Sequence, residues 1–273
     1  MEIKMSEEKI KEQISYLMSK DSYSFDDLRL IVSLLRSKQG CPWDMEQTHK
    51  SIRNDFIEET YEVIEAIDTE NPELLREELG DVMLQVVFHA QLEDEKNVFD
   101  IDDVSNDICK KLIHRHPHVF GDVRVDGSRE VLSNWDKIKS EEKGRATYTD
   151  KLKAIPPMFP ALMRAQKVGK KASCFDFNSL EEVYSKIYEE IDEVKEAEKH
   201  KNHDEIEEEI GDLLLTVSSL SRKLGINSEE ALYKATNKFI ERFATVENEA
   251  VSMGKSMDEI DNGELNAIWD KIK

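Results

Sequence analysis

The chain has 273 residues, of which 59 are acidic and 38 are basic, so its formal net charge is −21. A field of this sign disfavours nucleic acid polymers and anionic membranes as partners. No run approaches the length of about eighteen apolar residues that a membrane span needs. The N-terminus lacks an apolar signal segment, and the three cysteines form no C-x-x-C pair. We therefore expect a cytoplasmic protein with no membrane partner.

The first part of the chain is predicted to be helical. Ile10, Ile14 and Leu17 recur at helical spacing, so residues 1–24 are expected to form an N-terminal helical extension. Ser24 is a typical N-cap for a following helix that should stop near Gly40. The segment 40–44 contains a proline that disfavours helix at the preceding residue, and it is predicted to be a loop.

Two helices rich in glutamate follow. The first is expected at 51–68, and the second should start at Asn71 and Pro72, because proline is tolerated in the first turn of a helix. Gly80 lies inside the second helix, where glycine costs about 1 kcal/mol relative to alanine. It indicates either a close approach by another backbone or a ligand, or a tolerated loss. The apolar residues predicted to line the buried face of this helix are Leu75, Leu79, Val82, Val86 and Ala90.

A further helix is predicted at 102–116, ended by proline. His114, His116 and His118 resemble metal ligands, but the second half of the chain has no histidine at the matching place, which favours a structural turn. Residues 143–160 are polar and then rich in proline, so they are predicted to link a first domain at 25–142 to a second domain at 161–273.

The second domain is expected to repeat the helical pattern. Its helices are predicted at 179–199, 204–224 and 228–253, with Gly225 as a stop signal and a short helix at the C-terminus. No segment alternates with the period of a strand, so the predicted fold is all-α, with two tandem copies of a helical bundle. The core residues predicted for the helix at 204–224 are Ile206, Ile210, Leu213, Leu214, Val217 and Leu220.

The duplication is visible in carboxylates and beyond them. Both halves contain Glu-Glu-x-x-Glu followed by Glu-x-x-Asp, at a constant offset. Acidic faces arise by accident in so acidic a chain, but basic and aromatic residues recur as well. The first-half residues are Glu58, Glu59, Glu62, Glu78, Asp81, Lys111, Arg115, Trp135 and Lys139. Their second-half counterparts are Glu189, Glu190, Glu193, Glu209, Asp212, Lys238, Arg242, Trp269 and Lys273.

The repeated residues suit chemistry on a phosphate. Residues three apart share a helix face, so two packed helices bring four carboxylates together, and these repel one another unless a cation lies between them. Oxygen ligands alone favour Mg²⁺, or Mn²⁺ as the alternative. Lys238 and Arg242 lie on one helix face, as expected for a polyphosphate site. The two tryptophans suit either a base or a core. Together these residues predict attack of water on phosphorus, with the general base left open.

Four further motifs, together with the duplicated acidic pattern, point to one protein family. They are Gly-Cys-Pro-Trp-Asp at 40–44, Arg-His-Pro-His-Val-Phe at 115–120, Pro-Ala-Leu-Met-Arg-Ala-Gln at 160–166 and Glu-Glu-Ile-Gly-Asp-Leu-Leu at 208–214. With the duplicated acidic pattern, the chain resembles the MazG family of nucleoside triphosphate pyrophosphohydrolases over about residues 25–273. The resemblance implies an all-α, Mg²⁺-dependent enzyme that cleaves nucleoside triphosphates between the α and β phosphates, and a homodimer built through its helical bundles.

The resemblance also implies roles for individual residues. Metal ligands are expected at Glu190, Glu193, Glu209 and Asp212, and catalytic carboxylates at Glu189, Glu190 and Glu193. Nucleotide contacts are expected at Lys186, Glu189, Lys238, Arg242, Trp269 and Lys273. In tandem members the second domain is the one associated with activity. The first copy keeps the equivalent acids, but has Asp55 where the second has Lys186, which should weaken its binding of nucleotide.

Two alternative hypotheses assign the protein to other functional classes. A di-iron bundle needs Glu-x-x-His on two helices, and only Glu46 and His49 have this spacing, so we disfavour it. A regulatory domain that binds nucleotide or protein without turnover is the alternative, above all for the first copy.

Overall fold

The structure is a computed structural model that describes residues 7–142 and 147–272. Within these residues all regular secondary structure is helical, which confirms the all-α prediction. The chain divides into two compact units between residues 139 and 140. No helix in the described ranges is both long enough and apolar enough to cross a membrane.

The first unit is built around one long helix. Its helices are α1 (Glu7–Met18), α2 (Phe25–Leu35), α3 (Pro42–Glu46), α4 (Arg53–Asp68), α5 (Pro72–Asp94), α6 (Ile101–Arg115), α7 (Pro117–Phe120) and α8 (Ser128–Glu142), the last of which runs past the division between the units. Helices α2, α4 and α6 pack against α5. The core joins Val32 of α2, Val87 and Phe88 of α5, and Ile101 of α6.

The predicted buried face of α5 is wrong at its N-terminal end. Leu79 is 48% exposed, whereas Val87 and Phe88 are buried. The core lies against the C-terminal half of α5, where residues of α2 and α6 meet it. The sequence pattern extended the buried face along the whole helix, but no described residue covers Leu79 enough to bury it.

The N-terminal helix has a packing role. Ile10 and Leu17 of α1 form a small cluster with Leu34 of α2. Ser24 caps α2 as predicted, and a capping box with Asp27 closes the turn. Lys20 Nζ lies 2.5 Å from a carboxylate oxygen of Asp27, which is buried. This ion pair and the cap fix the angle at which α1 meets α2.

One local prediction is corrected, and one of the alternatives for Gly80 is excluded. The segment predicted as a loop at 40–44 instead begins α3, with Pro42 at its first turn, while Cys41 is extended as the proline requires. Pro42 can begin a helix because the first turn needs no backbone donor at that position. Gly80 and Gly211 have open space around the position of a Cβ, so no described backbone approaches either of them.

The second unit repeats the helical hairpin. Its helices are α9 (Tyr148–Lys153), α10 (Ala161–Lys171), α11 (Leu180–His200), α12 (His203–Lys223), α13 (Ser228–Ser252) and α14 (Asn262–Ile272). Helix α9 lies within the segment that was predicted as a linker, and it packs against α10. Helix α10 also packs against α12 and α13, and α14 packs against α13. Gly225 follows α12 with φ of 71°, as expected for a helix stop.

The predicted core of α12 is only partly buried. Ile210, Leu214 and Val217 are 44, 51 and 39% exposed, whereas Thr216 and Ser218 are buried. Helices α10 and α11 cover other parts of α12, and no described residue covers these three apolar side chains sufficiently to bury them. An apolar face is thus left open in the single chain.

Candidate metal and nucleotide site

The hairpin of α11 and α12 positions the acidic residues of the second unit. Lys201 ends α11 in the left-handed conformation, and Asn202 caps α12 directly afterwards, so the chain reverses within two residues. Glu190 and Glu193 lie about one turn apart on α11. Together with Glu209 of α12 they can each offer one carboxylate oxygen within 4.8 Å of the others. We call these three residues the second acidic cluster.

Burial strengthens the repulsion within this cluster. Glu190 is 4% exposed. Burial raises the pKa of Glu209, and the nearby charges of Glu193, Glu190 and Asp212 raise it further. Asp212 lies outside the three-residue cluster, and its charge is one of those that raise the pKa of Glu209. Negative charge in a poorly hydrated place needs a positive partner.

Lys186 supplies that partner in the described structure. Its Nζ lies 2.7 Å from Glu189 Oε1, 3.1 Å from Glu190 Oε1 and 3.7 Å from Glu193 Oε2. The hydrogen bonds to Glu189 and then to Glu190 raise the pKa of Lys186, so it is a full cation at neutral pH. The sequence resemblance placed Lys186 beside nucleotide, and it did not anticipate this contact with the carboxylates.

The first unit contains a related acidic cluster, which includes Asp81 but not Glu62, the counterpart of Glu193, and which no lysine joins within the described residues. Glu59 of α4 can offer a carboxylate oxygen within 4.8 Å of those of Glu78 and Asp81 of α5, and we call these three the first acidic cluster. Burial raises the pKa of Glu78, and Glu62 raises it further through its charge and a hydrogen bond. Burial likewise raises the pKa of Glu59. The charges of Asp81 and Glu62 raise it further, and Asp55 contributes less. Glu58 is exposed and lies outside the cluster.

The cationic pair of the second unit lies on another helix. Lys238 and Arg242 follow one another by one turn on α13, which packs against α10, α12 and α14. Within 7–142 and 147–272, no ion pair joins Lys238 or Arg242 to an acidic residue. The fold therefore leaves this pair available for an external anion. It does not bring the pair into direct contact with the second acidic cluster.

Trp269 lies next to a cavity. Its ring contacts Phe239 with centroids 5.3 Å apart. A cavity of about 270 Å³ lies between α13 and α14, and its lining is mainly apolar. It is lined by Phe239, Phe243, Val246, Met257, Leu265, Asn266 and Trp269. Trp269 thus belongs both to a hydrophobic cluster and to a cavity wall, and Lys273 lies outside the described residues.

The equivalent tryptophan of the first unit is held by its own neighbours. The Arg115 guanidinium lies over the Trp135 ring at 5.4 Å, and His116 meets the same ring edge-on at 4.8 Å. His116 Nδ1 also lies 2.6 Å from the carbonyl oxygen of Leu112. These contacts support a structural turn rather than a metal site in the histidine-rich segment. Of the remaining predicted cations, Lys111 is exposed and Lys139 is half-buried.

One cluster was missed in the sequence. His49 contacts His89 of α5 through their Nδ1 atoms and Glu93 through Nε2. Its partners lie 40 and 44 residues away along the chain, so no local motif announces the contact. The four-residue spacing of His89 and Glu93, which puts them on one helix face, is the signal that was available.

Comparison with known proteins assigns the family. The model of the MazG nucleotide pyrophosphohydrolase domain matches twice, at residues 47–120 and 178–246. A Thermotoga maritima protein named nucleoside triphosphate pyrophosphohydrolase/pyrophosphatase MazG is 45% identical over 251 residues, which span 91% of this chain and 95% of that protein.

Two other relatives carry a similar name. A protein of Escherichia coli K12 named nucleoside triphosphate pyrophosphohydrolase is 44% identical over 253 residues, or 91% of this chain and 96% of that protein. A protein of the same name from Mycolicibacterium smegmatis is 40% identical over 134 residues, or 48% of this chain and 41% of that protein. The two helical hairpins with their acidic clusters coincide with the two matched segments, and the chain therefore belongs to the family of MazG nucleotide pyrophosphohydrolase domains, of which it carries two copies.

Proposed function

We propose that this protein hydrolyses nucleoside triphosphates between the α and β phosphates, giving a nucleoside monophosphate and pyrophosphate. The observation that carries the proposal is the second acidic cluster, in which carboxylate oxygens of Glu190, Glu193 and Glu209 come together. Relatives that match this chain over nearly their whole length are named pyrophosphohydrolases. The proposed cofactor is Mg²⁺, with Mn²⁺ as the alternative.

The donor set suits such a cation. Carboxylate oxygens are hard ligands, and no His or Cys belongs to either acidic cluster. Glu190 is buried, and the carboxyl of Glu209 has a raised pKa because of burial and its charged neighbours, so a divalent cation would relieve a strain that is already present. Glu190, Glu193 and Glu209 would hold it, with Asp212 beside them. When bound, it supplies a positive charge for the phosphate oxygens on which charge accumulates.

The protein's own residues supply positioning and proton transfer in this proposal. Glu189 is exposed and lies outside the cluster, but it shares Lys186 with it. It is therefore the carboxylate best placed to accept a proton from the attacking water without being a metal ligand. Lys238 and Arg242 would bind the polyphosphate, Arg242 by a forked pair of hydrogen bonds. The cavity beside Trp269 has an apolar wall with one amide, Asn266, which suits a base.

We further propose that the protein acts as a homodimer. Ile210, Leu214 and Val217 of α12 leave an apolar face exposed in the single chain, and Tyr188 of α11, in the same hairpin, is 68% exposed. A soluble monomer rarely exposes such a contiguous set. A second copy packed on this face would bury it. We place the protein in the cytoplasm, which suits its three free cysteines.

The first unit favours a second function. Asp55 adds negative charge beside Glu59, at the position where the second unit has the cation Lys186. A triphosphate brings further negative charge, so the first unit should bind it more weakly. We propose that the first copy binds nucleotide or a partner for regulation, and that the second copy performs the turnover.

Product analysis tests the reaction. The full chain with Mg²⁺ and a nucleoside triphosphate should release pyrophosphate, and release of orthophosphate would refute the cleavage position. Glu190→Gln should lower turnover by about a hundredfold or more, because it removes charge from the cation site. Glu196→Gln is the matched control, since Glu196 lies on the same helix and its ion pair with Lys199 is on the surface. Glu59→Gln should cost less than Glu190→Gln, and equal losses would contradict the division of labour between the copies.

A further inference from the structure

We propose that Lys186 is a built-in counter-ion of the second acidic cluster. In the free protein it neutralises the carboxylates, and it moves to the triphosphate when a divalent cation enters with nucleotide. Metal binding at this site would thereby depend on nucleotide. The inference rests on the proposed function, because it assumes that the cluster holds a metal during turnover.

The ammonium group and a cation compete for the same oxygens. Lys186 Nζ lies 3.1 Å from Glu190 Oε1 and 3.7 Å from Glu193 Oε2, and both glutamates belong to the second acidic cluster. The side chain of Glu190 is 5% exposed, so its carboxylate has little water to turn to. An ammonium and a divalent cation within a few Å of each other repel strongly. Entry of the cation must therefore displace Lys186 from these oxygens.

The helix geometry allows this displacement without a backbone change. Lys186, Glu189, Glu190 and Glu193 lie at positions i, i+3, i+4 and i+7 of α11, so they form one stripe along the helix. The side chain of Lys186 is 34% exposed, which means that one side of it faces solvent. Its flexible four-carbon stem can turn the ammonium from the carboxylates towards a phosphate that approaches from that side.

The first unit lacks this device. At the position that matches Lys186 it has Asp55, whose charge adds to the repulsion on Glu59 instead of relieving it. The charge of Glu62 adds to the repulsion on Glu59 and Glu78. The two copies share these acids, but within the described residues only those of the second copy pair with a lysine. Only the second couples neutralisation to a group that also suits phosphate.

Coupling of this kind is reciprocal. If nucleotide removes Lys186 from the carboxylates, it must strengthen metal binding, and metal must strengthen nucleotide binding by the same factor. A free protein would then hold little metal at the second site until nucleotide arrives. Removal of the ammonium should abolish part of this dependence, because the carboxylates would no longer have a competing partner.

The experiment is a Mn²⁺ titration of the full chain followed by electron paramagnetic resonance. Glu59→Gln and Glu78→Gln form the background, so that the first acidic cluster does not contribute. In the absence of nucleotide, the Lys186→Met variant in this background should bind Mn²⁺ about tenfold more tightly than the background chain that keeps Lys186. A non-hydrolysable triphosphate analogue should then enhance Mn²⁺ affinity less in Lys186→Met than in its parent.

Two variants serve as controls. Lys195→Met removes a lysine from the same helix whose partner, Asp192, lies outside the cluster, and it should leave Mn²⁺ affinity unchanged. Lys186→Arg keeps the charge and should stay near the parent affinity. If Lys186→Met does not fold, Lys186→Gln takes its place in the same titration.

Unchanged or weaker Mn²⁺ binding in the variant without the ammonium would overturn the counter-ion role. That failure is distinct from failure of the proposed function. A chain that releases pyrophosphate, but whose Mn²⁺ affinity ignores Lys186, refutes only the present inference. A chain that releases no pyrophosphate with Mg²⁺ refutes the proposed reaction.

Discussion

The Nδ1 atoms of His49 and His89 lie 2.7 Å apart, and their imidazole rings are parallel with centroids 5.0 Å apart. Since each Nδ1 lies about 1.1 Å from its ring centroid, the two nitrogens point at each other along one line, as in a hydrogen bond. Only one of them can carry the proton. His49 Nε2 lies 2.6 Å from Glu93 Oε1, so the carboxylate extends this chain of contacts by a second hydrogen bond.

This chain of hydrogen bonds predicts a loss of stability at mildly acidic pH. Burial, and then the neighbouring His49, lower the pKa of His89 below its unfolded value of about 6.5. The folded state thus binds fewer protons than the unfolded state, and the free energy of unfolding should fall as pH decreases below about 6.5. We expect urea denaturation to show a lower free energy of unfolding at pH 5.5 than at pH 7.

The pH range between 7 and 5.5 separates the effect of His89 on stability from that of the carboxylates. The pKa of Glu93 is lowered by Lys96 and His49, so its contribution is lost only below about pH 4.5. His89→Gln should flatten the decrease between pH 7 and 5.5. His203→Gln, at an exposed position, should retain it. A pH dependence that survives in His89→Gln would refute the assignment.

Lys238 should act on substrate affinity. If its ammonium meets the polyphosphate, Lys238→Ala should raise KM by about tenfold to a hundredfold with a smaller change in kcat, because a charge-assisted hydrogen bond of about 1.5–3 kcal/mol is lost. Lys201→Ala is the control, since Lys201 lies exposed at the end of α11. Steady-state kinetics of the two variants decide the matter, and equal KM values would remove Lys238 from the phosphate site.

The open face of α12 should control assembly. Leu214→Glu places a charge at a position that is 51% exposed in the single chain, so it should fold normally but raise the dissociation constant of the dimer by about a hundredfold or more. Leu132→Glu is the control, because Leu132 is also exposed but lies on α8 of the first unit. Sedimentation velocity measures both. A wild-type chain that sediments as a monomer at micromolar concentration would exclude the proposed interface.

The ion pair of Asp176 with Arg222 should stabilise the second unit. Two hydrogen bonds of 2.6 and 3.0 Å join them, and both side chains are 20% exposed. Asp176→Asn removes the charged partner of Arg222 and also of Lys223, whose Nζ lies 3.5 Å from Asp176, and should lower the free energy of unfolding by about 2 kcal/mol. Asp192→Asn breaks an exposed pair with Lys195 and should cost less than about 0.5 kcal/mol. Equal losses in chemical denaturation would show that burial of the first pair is immaterial.

Much of the fold follows from local patterns. The capping residue Ser24, the stop at Gly225 and the helical spacing of apolar residues located most helices within a few residues. The exceptions have local causes that the pattern left open. Pro42 can precede a turn or begin a helix, and here it begins α3. Leu79 and Leu214 have the spacing of core residues, but spacing cannot tell whether a neighbouring helix covers them.

Some contacts among the site residues could be predicted from the sequence, and others could not. Glu190 and Glu193 share a face by helical periodicity alone, so their association could be predicted. Their meeting with Glu209 required that α11 and α12 form a hairpin, which the short connection at Lys201 and Asn202 made plausible. The contact of His49 with Glu93 had no such clue, because it joins a loop to a helix far along the chain.

From the amino-acid sequence alone came the helical class, the duplication and the identity of the acids that both copies share, since periodicity and internal repetition are properties of the chain itself. The tertiary structure decided which carboxylates come together and which apolar face of α12 stays open. It also decided that Lys186 pairs with the second acidic cluster, whereas Asp55 adds to the repulsion in the first. The physical reason is that electrostatic and packing energies depend on distances between helices, and these distances arise only when the helices pack.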